Sequence, residues 1–426
     1  MIFLYNVGLL LFWVVMHVAA LFYPKARKLV CGHWGALRKL KLAMDGRGQR
    51  KVVWFHCASL GEFEQGRPVI EALRKRHPDA FVLLTFFSPS GYEVRKNYAA
   101  ADYVCYMPLD LWWVAHKFVK LAAPHIAVFV KYEFWYNYFR QLNRHGAKTY
   151  VISAIFREQQ AFFNQQYGKF FVRVLNFCEH IFVQNSNSLD LLASVGISNA
   201  SCAGDTRFDR VLEVAAHANA LPELAQFAAS GKLTLVAGST WPPDEDLLAE
   251  LVNKVPNMKL IVAPHEVGES RVCSLLAKFG KPALPYSQWQ KNMDVNLADY
   301  SVFVVDAVGF LSSLYRFGSI AYVGGGFGVG IHNILEAAVF GVPVIFGDSY
   351  KKFCEATDLV EQGGAFSVSS LPELLNVVGM LSSNKQRYEQ SGNTCRTYVQ
   401  QHKGATEIIM KQLSCSMNIL YSNEIQ

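Results

Sequence analysis

The chain has 426 residues, half of them apolar and 13% aromatic, and a formal net charge of +7. That length exceeds one ordinary core and points to two domains of about 150–200 residues, while the composition excludes a disordered chain and leaves room for membrane contact. The positive charge is local: nine Lys or Arg against Asp45 alone lie between Pro24 and Lys51, leaving the remainder slightly negative. This distribution excludes a nucleic-acid groove running through the protein and suits an anionic lipid surface, at about 1 kcal/mol per basic residue near it.

In chain order, residues 1–23 read first as a membrane anchor. Ile2 to Tyr23 is apolar apart from Asn6 and His17, and is about long enough to span a bilayer. Basic residues Lys25, Arg27 and Lys28 follow it, which predicts a cytoplasmic location for the rest. A cleaved signal peptide would carry its charge before the apolar run and a small-x-small site after it; this segment has neither. The helix either crosses the membrane or lies in its interface. Residues 24–51 form a basic, membrane-proximal segment. The nine cysteines are scattered without a C-x-x-C pair, so a zinc site or disulfide framework is not expected, and a reducing compartment is.

From residue 52 short apolar runs alternate with amphipathic ones. "KVVWFHCAS", "AFVLLTFF", "HIAVFV", "KTYVISA" and "HIFVQN" predict buried strands, with a helix over "EQGRPVIEALRKRHP". A linker over 211–230 leads to a second series: "LTLVAGST", "MKLIVAPHE", "VFVVDAV", "IAYVGGG" and "VPVIFGD". The expectation is an α/β protein with two doubly wound, Rossmann-like domains, 52–210 and 231–426. A crevice between them would lie beyond the carboxyl ends of the strands, where such sheets bind ligands.

Several stretches could carry chemistry. In "YVGGGFGVGIHNILEAAVFG" a strand ends in glycines and a helix is expected near Asn333, a pattern that brings backbone close to a ligand and offers N–H groups to phosphate. A bare crossover turn is the alternative. Neither G-x-G-x-x-G nor a P-loop pattern occurs there, which weakens dinucleotide oxidoreductase and NTPase readings. Glu336 could accept hydrogen bonds from a ribose, or simply favour the helix dipole. Pro264, His265 and Glu266 sit at one strand end, Ser239 and Thr240 at another. Asp244-Glu245-Asp246 formally matches the D-x-D of metal-dependent sugar transferases, although acids behind prolines also suit a helix start. In the first half, Lys131 and Glu133 follow a buried strand, and Arg157 and Arg207 could hold a carboxylate or phosphate. Ser59-Leu60-Gly61-Glu62 matches the S-x-x-E capping box. Alternatively, Glu62 is a carboxylate that stays ionised at a helix start and takes a proton from an alcohol, with Gly61 leaving room for a substrate.

"HCASLGE", "YEFW", "GDTRFD", "GST", "APHE" and "VGGGF…GIHNILEAA", in this order along nearly the whole chain, resemble the 3-deoxy-D-manno-octulosonic acid (Kdo) transferases of lipopolysaccharide synthesis. The resemblance implies the two-domain GT-B glycosyltransferase fold with its central cleft, and an inverting transfer of Kdo from CMP-Kdo to a lipid A precursor. It implies an acceptor-binding first domain, a CMP-sugar-binding second domain, and a single N-terminal anchor on the cytoplasmic face of a bacterial inner membrane. By the same resemblance Glu62 is the general base, Arg207 stabilises charge in the transition state, and Glu133 is a further catalytic candidate. CMP contacts fall on Pro264 and His265, on Val308, Gly309 and Phe310, and on Asn333, Ile334, Leu335 and Glu336, with Ser239 and Thr240 beside them. Arg157 is the candidate for the sugar carboxylate. The expected partners are CMP-Kdo, a lipid A precursor and an anionic membrane surface, with no nucleic acid, no metal and no cofactor. Two positions depart from the family pattern: Phe310 stands where an acid is usual, and Lys131 replaces the first acid of E-x-E-[LF]-W. The alternatives are another GT-B envelope enzyme using a UDP-sugar, and a non-catalytic membrane-bound relative.

Overall fold

The computed structural model describes residues 1–217, 221–307, 309–328 and 330–422. The chain divides into two compact units, Met1–Arg210 with Lys403–Gln426, and Val211–His402. The first begins with helices α1 (Ile2–Phe22), α2 (Pro24–His33) and α3 (Ala36–Asp45), and a fourth, α4 (Leu60–Arg76), follows its first strand.

Its sheet comprises β1 (Val52–Cys57), β2 (Phe81–Phe86), β3 (Tyr103–Tyr106), β4 (Ile126–Val130), β5 (Lys148–Ala154), β6 (His180–Val183) and β7 (Ala200–Cys202). The strands are parallel in the order β3-β2-β1-β4-β5-β6-β7. Central strands are covered on both faces, which is why β1, β2 and β4 are buried at every residue and apolar except at His56 and Thr85. One face packs Trp54, Phe118, Phe129 and Tyr138 as tilted and edge-on rings. The indole N–H of Trp54, fully enclosed, donates to Thr85 Oγ1 at 2.8 Å.

The second unit repeats the plan with β8 (Leu233–Thr240), β9 (Met258–Pro264), β10 (Ala283–Pro285), β11 (Val302–Val304), β12 (Ile320–Val323), β13 (Val344–Gly347) and β14 (Ala365–Val368). Its parallel order is β10-β11-β9-β8-β12-β13-β14. Each sheet reverses its winding once, between β1 and β4 and between β8 and β12. These two switch points are where doubly wound sheets offer ligands room beyond the strand ends.

The last helix, Ala405–Ser422, corrects the expected boundary of the second domain. Its Met410, Leu413 and Met417 enter the core of the first unit, and Ser416 bonds the Tyr150 hydroxyl at 2.7 Å. Asp209 caps the helix by accepting from Gly404 N at 2.6 Å and Thr406 N at 2.7 Å. The domain therefore closes at His402, because an amphipathic stripe states that a helix packs but not against which core. The expected linker is also partly helical: Thr206–Ala216 and Pro222–Ala229 occupy most of it, and 218–220 lie outside the described residues.

Gly326 and Gly347 touch backbone to backbone: a methyl group on Gly326 would stand 2.5 Å from Gly347 Cα and N. Gly326→Ala is accordingly expected to destabilise the second unit by about 1–3 kcal/mol, since neither main chain can yield freely. Thermal unfolding checks this, and an unchanged midpoint would show that the two loops separate at no cost.

Candidate active site

β1 and β4 are neighbours at the first switch point, so the loops leaving them bring Glu62 and the Lys131–Glu133 segment together. Ser59, extended at φ −138°, caps α4, and Glu62 at the third helical position turns back over the start of the helix. Its Oε2 accepts from Ala58 N at 2.5 Å and Ser59 N at 3.2 Å, so the capping box of the sequence is real.

The same carboxylate has an unusual acidity. Burial, and then the charge of Glu133, push the Glu62 pKa up to about 7, against the pull of the two backbone N–H groups and Lys131. This corrects the expectation that a helix start keeps Glu62 fully ionised: desolvation and a second carboxylate outweigh the helix terminus. A carboxylate poised near neutrality is better matched to taking a proton than an ordinary one.

Glu133 is held behind it. Its Oε2 accepts from Trp135 Nε1 at 2.7 Å and lies 3.3 Å from His56 Nε2. His56, fully buried, places Nδ1 at 2.8 Å from Thr85 Oγ1, which also receives the indole N–H of Trp54. Trp54, Thr85, His56 and Glu133 thus form one chain of polar contacts running from core to site. Lys131 adopts φ +68°, a left-handed conformation costing a side-chain-bearing residue on the order of 1 kcal/mol, with its N–H bonded to Ile152 O at 2.9 Å.

The loop after β7 contributes the start of Thr206–Ala216. Arg207 Nε donates to Asp205 Oδ2 at 2.8 Å, its Nη2 lies 2.7 Å from the same oxygen, and its backbone N–H reaches Oδ1 at 2.9 Å. Burial would raise the Asp205 carboxyl, but the charge and hydrogen bonds of Arg207 overcome it and hold it below the usual range. Thr206 Oγ1 donates to Gln65 O at 2.5 Å, fastening this turn to α4. Arg157 stands exposed after β5, its backbone N–H on Gln160 Oε1 at 3.2 Å. Glu62, Glu133, Arg157 and Arg207 therefore all occupy the carboxyl edge of the first sheet.

The second switch point gathers the other candidates. Ser239 takes φ +53° at a bulge of β8, and Thr240 Oγ1, buried, donates to Glu245 Oε1 at 3.1 Å. Thr240 O accepts from His265 N at 3.0 Å, joining the ends of β8 and β9. The ring of His265 stacks on Trp241, at 4.6 Å and 21°, and on His332, at 4.7 Å and 26°. Trp241 Nε1 donates to His332 Nε2 at 3.1 Å, which fixes that nitrogen as an acceptor. Burial and then His265 lower the His332 pKa to about 4, so its imidazole is neutral at physiological pH.

Trp241 and His332 were not among the sequence candidates. A Trp before two prolines and a His before Asn333 were the available signals, but only folding stacks them with His265. The glycine-rich loop follows β12 directly. Gly325 at φ +94° donates to Asp244 Oδ2 at 2.9 Å, and Gly324 passes so close to Ser239 O that no side chain fits.

Two expectations change here. Asp244 accepts from Gly325, Trp241 and Tyr322, Glu245 pairs with Arg271, and Asp246 with Lys278. These acids knit β8, its following helix and the glycine-rich loop together, and the D-x-D reading lapses. The helix expected near Asn333 is the single turn Leu335–Ala338, too short for a substantial dipole. Asn333, two residues before it, accepts from Leu335 N at 3.2 Å and donates to Glu336 Oε1 at 3.2 Å. Ile334, Leu335 and Pro264 turn their side chains into the core, leaving main-chain atoms as what they can offer a ligand. Gly309, at φ +93°, and Phe310, packed on Tyr286 at 5.3 Å, lie between β11 and the short helix Leu311–Leu314, whose Leu311 packs against Gly238 of β8; Val308 lies outside the described residues.

Two doubly wound units, each with its residues at the switch point of a parallel sheet, define the GT-B architecture. Solved structures with this architecture include UDP-GlcNAc 2-epimerase from Neisseria meningitidis bound to UDP-GlcNAc, 14% identical, with a TM-score of 0.59 over 85% of this chain and 99% of that one. A putative UDP-N-acetylglucosamine 2-epimerase from Listeria monocytogenes aligns over 87% and 97%, with a TM-score of 0.58 at 12% identity.

Residues 34–210 match the family described as 3-deoxy-D-manno-octulosonic-acid transferase (kdotransferase). Curated relatives include the 3-deoxy-D-manno-octulosonic acid transferases of Chlamydia trachomatis serovar A, 26% identical over 389 residues, and Haemophilus influenzae, 25% identical over 376. These alignments cover 87% and 85% of this chain, and 88% and 86% of the relatives. Over most of its length the chain is thus similar to the Kdo transferases, and residues 34–210 carry their family pattern.

Proposed function

We propose that the chain transfers Kdo from CMP-Kdo to a lipid A precursor with inversion, releasing CMP, at the cytoplasmic face of a bacterial inner membrane. The observation that carries this reading is Glu62, a carboxylate brought to a pKa of about 7 at a switch point within the stretch that matches the family. Ionised Glu62 takes the proton of a glucosamine hydroxyl of the acceptor. That oxygen forms a bond to the anomeric carbon of Kdo as the bond to the CMP phosphate breaks, and CMP departs with the electron pair. Arg207 balances the developing negative charge, and Arg157 is assigned to the sugar carboxylate.

In the second unit the cytidine base is assigned to the ring layer of Trp241, His265 and His332. The phosphate is assigned to the main chain around Asn333 and the glycine-rich loop, and the ribose to Glu336. One phosphodiester leaving group held this way calls for no metal or cofactor in the proposed step. Incubation with CMP-Kdo and a tetraacylated lipid A precursor, followed by mass spectrometry of the lipid, tests the reading and counts the sugars added. Turnover with a UDP-sugar but not CMP-Kdo would replace the donor; no turnover with either would favour a non-catalytic relative.

A further inference from the structure

The two residues that interrupt the apolar run of α1, Asn6 and His17, lie on the same side of the helix. They share a half-buried stripe with Ile2, Tyr5, Leu9 and Trp13, and this stripe leans on the first unit. Tyr5 donates its hydroxyl to Asp110 Oδ2 at 2.7 Å, and its ring packs on Tyr136 and Phe170 at 6.1 Å each. Asn137 Nδ2 donates to Asn6 Oδ1 at 3.1 Å, and Trp13 stacks on His33 at 5.3 Å. Asp110 is no surface residue: fully buried, it also accepts from Asn137 N at 2.9 Å and Tyr138 N at 2.8 Å. The amino-terminal end of α1 is thus fastened to the core, not only its end near α2.

An upright crossing is incompatible with that grip. From Tyr5 to Phe22 the helix rises about 26 Å, close to the roughly 30 Å thickness of a hydrocarbon layer. With Phe22 at the near surface, Tyr5 would stand close to the far one. Asp110 and the helix Tyr136–His145, with Arg140, Arg144 and His145, would have to follow it through the apolar layer.

The opposite side of α1 is apolar and exposed along its whole length, through Phe3, Leu4, Leu11, Val15, Val18 and Phe22. Beside it, α2 and α3 expose Lys25, Arg27, Lys28, Arg38, Lys39 and Lys41, and Trp34 and Trp112 project into solvent. Apolar stripe, basic flank and interfacial tryptophans together match one occupant, a bilayer surface bearing anionic lipid.

We infer that α1 is a monotopic anchor, lying in one leaflet and never crossing, so that the amino terminus stays on the same side of the membrane as the rest of the first unit. This rests on the membrane-bound reading of the chain and sharpens it. The test uses the full chain carrying different epitopes at its two ends, in sealed inner-membrane vesicles turned cytoplasmic side out. Externally added protease is expected to remove both epitopes at similar rates without detergent. An amino-terminal epitope protected until detergent is added would overturn the inference while leaving membrane attachment intact.

Flotation of the purified chain with vesicles of phosphatidylethanolamine and a minority of phosphatidylglycerol tests attachment itself. The triple substitution Leu11→Glu, Val15→Glu, Val18→Glu, confined to the exposed stripe, is expected to cut the floated fraction at least about tenfold. A wild-type chain that self-associates and does not float would show that a second copy covers the stripe, and would overturn the lipid assignment.

Discussion

Glu62→Gln is expected to lower kcat by about 10²–10⁴-fold, the usual contribution of a general base, with little change in KM for CMP-Kdo. Glutamine keeps an acceptor for the N–H of Ala58 or Ser59, so the helix start survives and the loss is chemical. The wild-type rate is expected to rise with pH through about 7 as Glu62 ionises, and the variant to lack that limb. Stability runs the other way. The folded pKa lies above the ordinary carboxylate value, so the fold favours the protonated form, and that advantage fades as pH climbs from about 4.5 through about 7. The variant should therefore equal the wild type in denaturant midpoint at pH 4 and exceed it at pH 8. Pre-steady-state Kdo transfer and urea titrations at both pH values check the two halves. A folded variant transferring at the wild-type rate would remove Glu62 from the chemistry.

Arg207→Met should damage both fold and catalysis, by separable routes. Asp205 is held ionised chiefly by Arg207, and losing the cation strands a buried carboxylate, at about 3 kcal/mol. Because burial would then raise its pKa, the destabilisation should be small at pH 4 and grow as pH rises through the carboxylate range. Activity should fall at least about a hundredfold through loss of charge stabilisation in the transition state. Adding Asp205→Asn removes the stranded charge, so the double variant is expected to regain stability and stay inactive. Activity returning together with stability would reduce Arg207 to a scaffold role.

Several features of this protein were legible in its residues because they follow from local patterns. Strands covered on both faces are predominantly apolar, which made β1, β2, β4 to β6, β8, β9 and β11 to β13 readable. The four that escaped notice, β3, β7, β10 and β14, are the edges of the two sheets, three or four residues long with one neighbour each. Glu62 and Glu133 were visible as carboxylates after strands, and Ser59–Glu62 as a capping box. The sequence neighbours of His56 and Trp241 gave no hint of what those side chains would touch.

The sequence by itself determined the two doubly wound series, the helix start at Glu62, the apolar first helix and its basic sequel, since each depends on residues close in the chain. Tertiary structure alone decided the rest. The acidity of Glu62 depends on burial and on a carboxylate 71 residues away. The ring layer at the second switch point joins residues from three different loops. The last helix chose the first core through Asp209 and Tyr150, and α1 lies along the domain because Tyr5 reaches Asp110. Desolvation, stacking and long-range hydrogen bonds act between atoms that only folding brings together, and no periodicity along the chain encodes them.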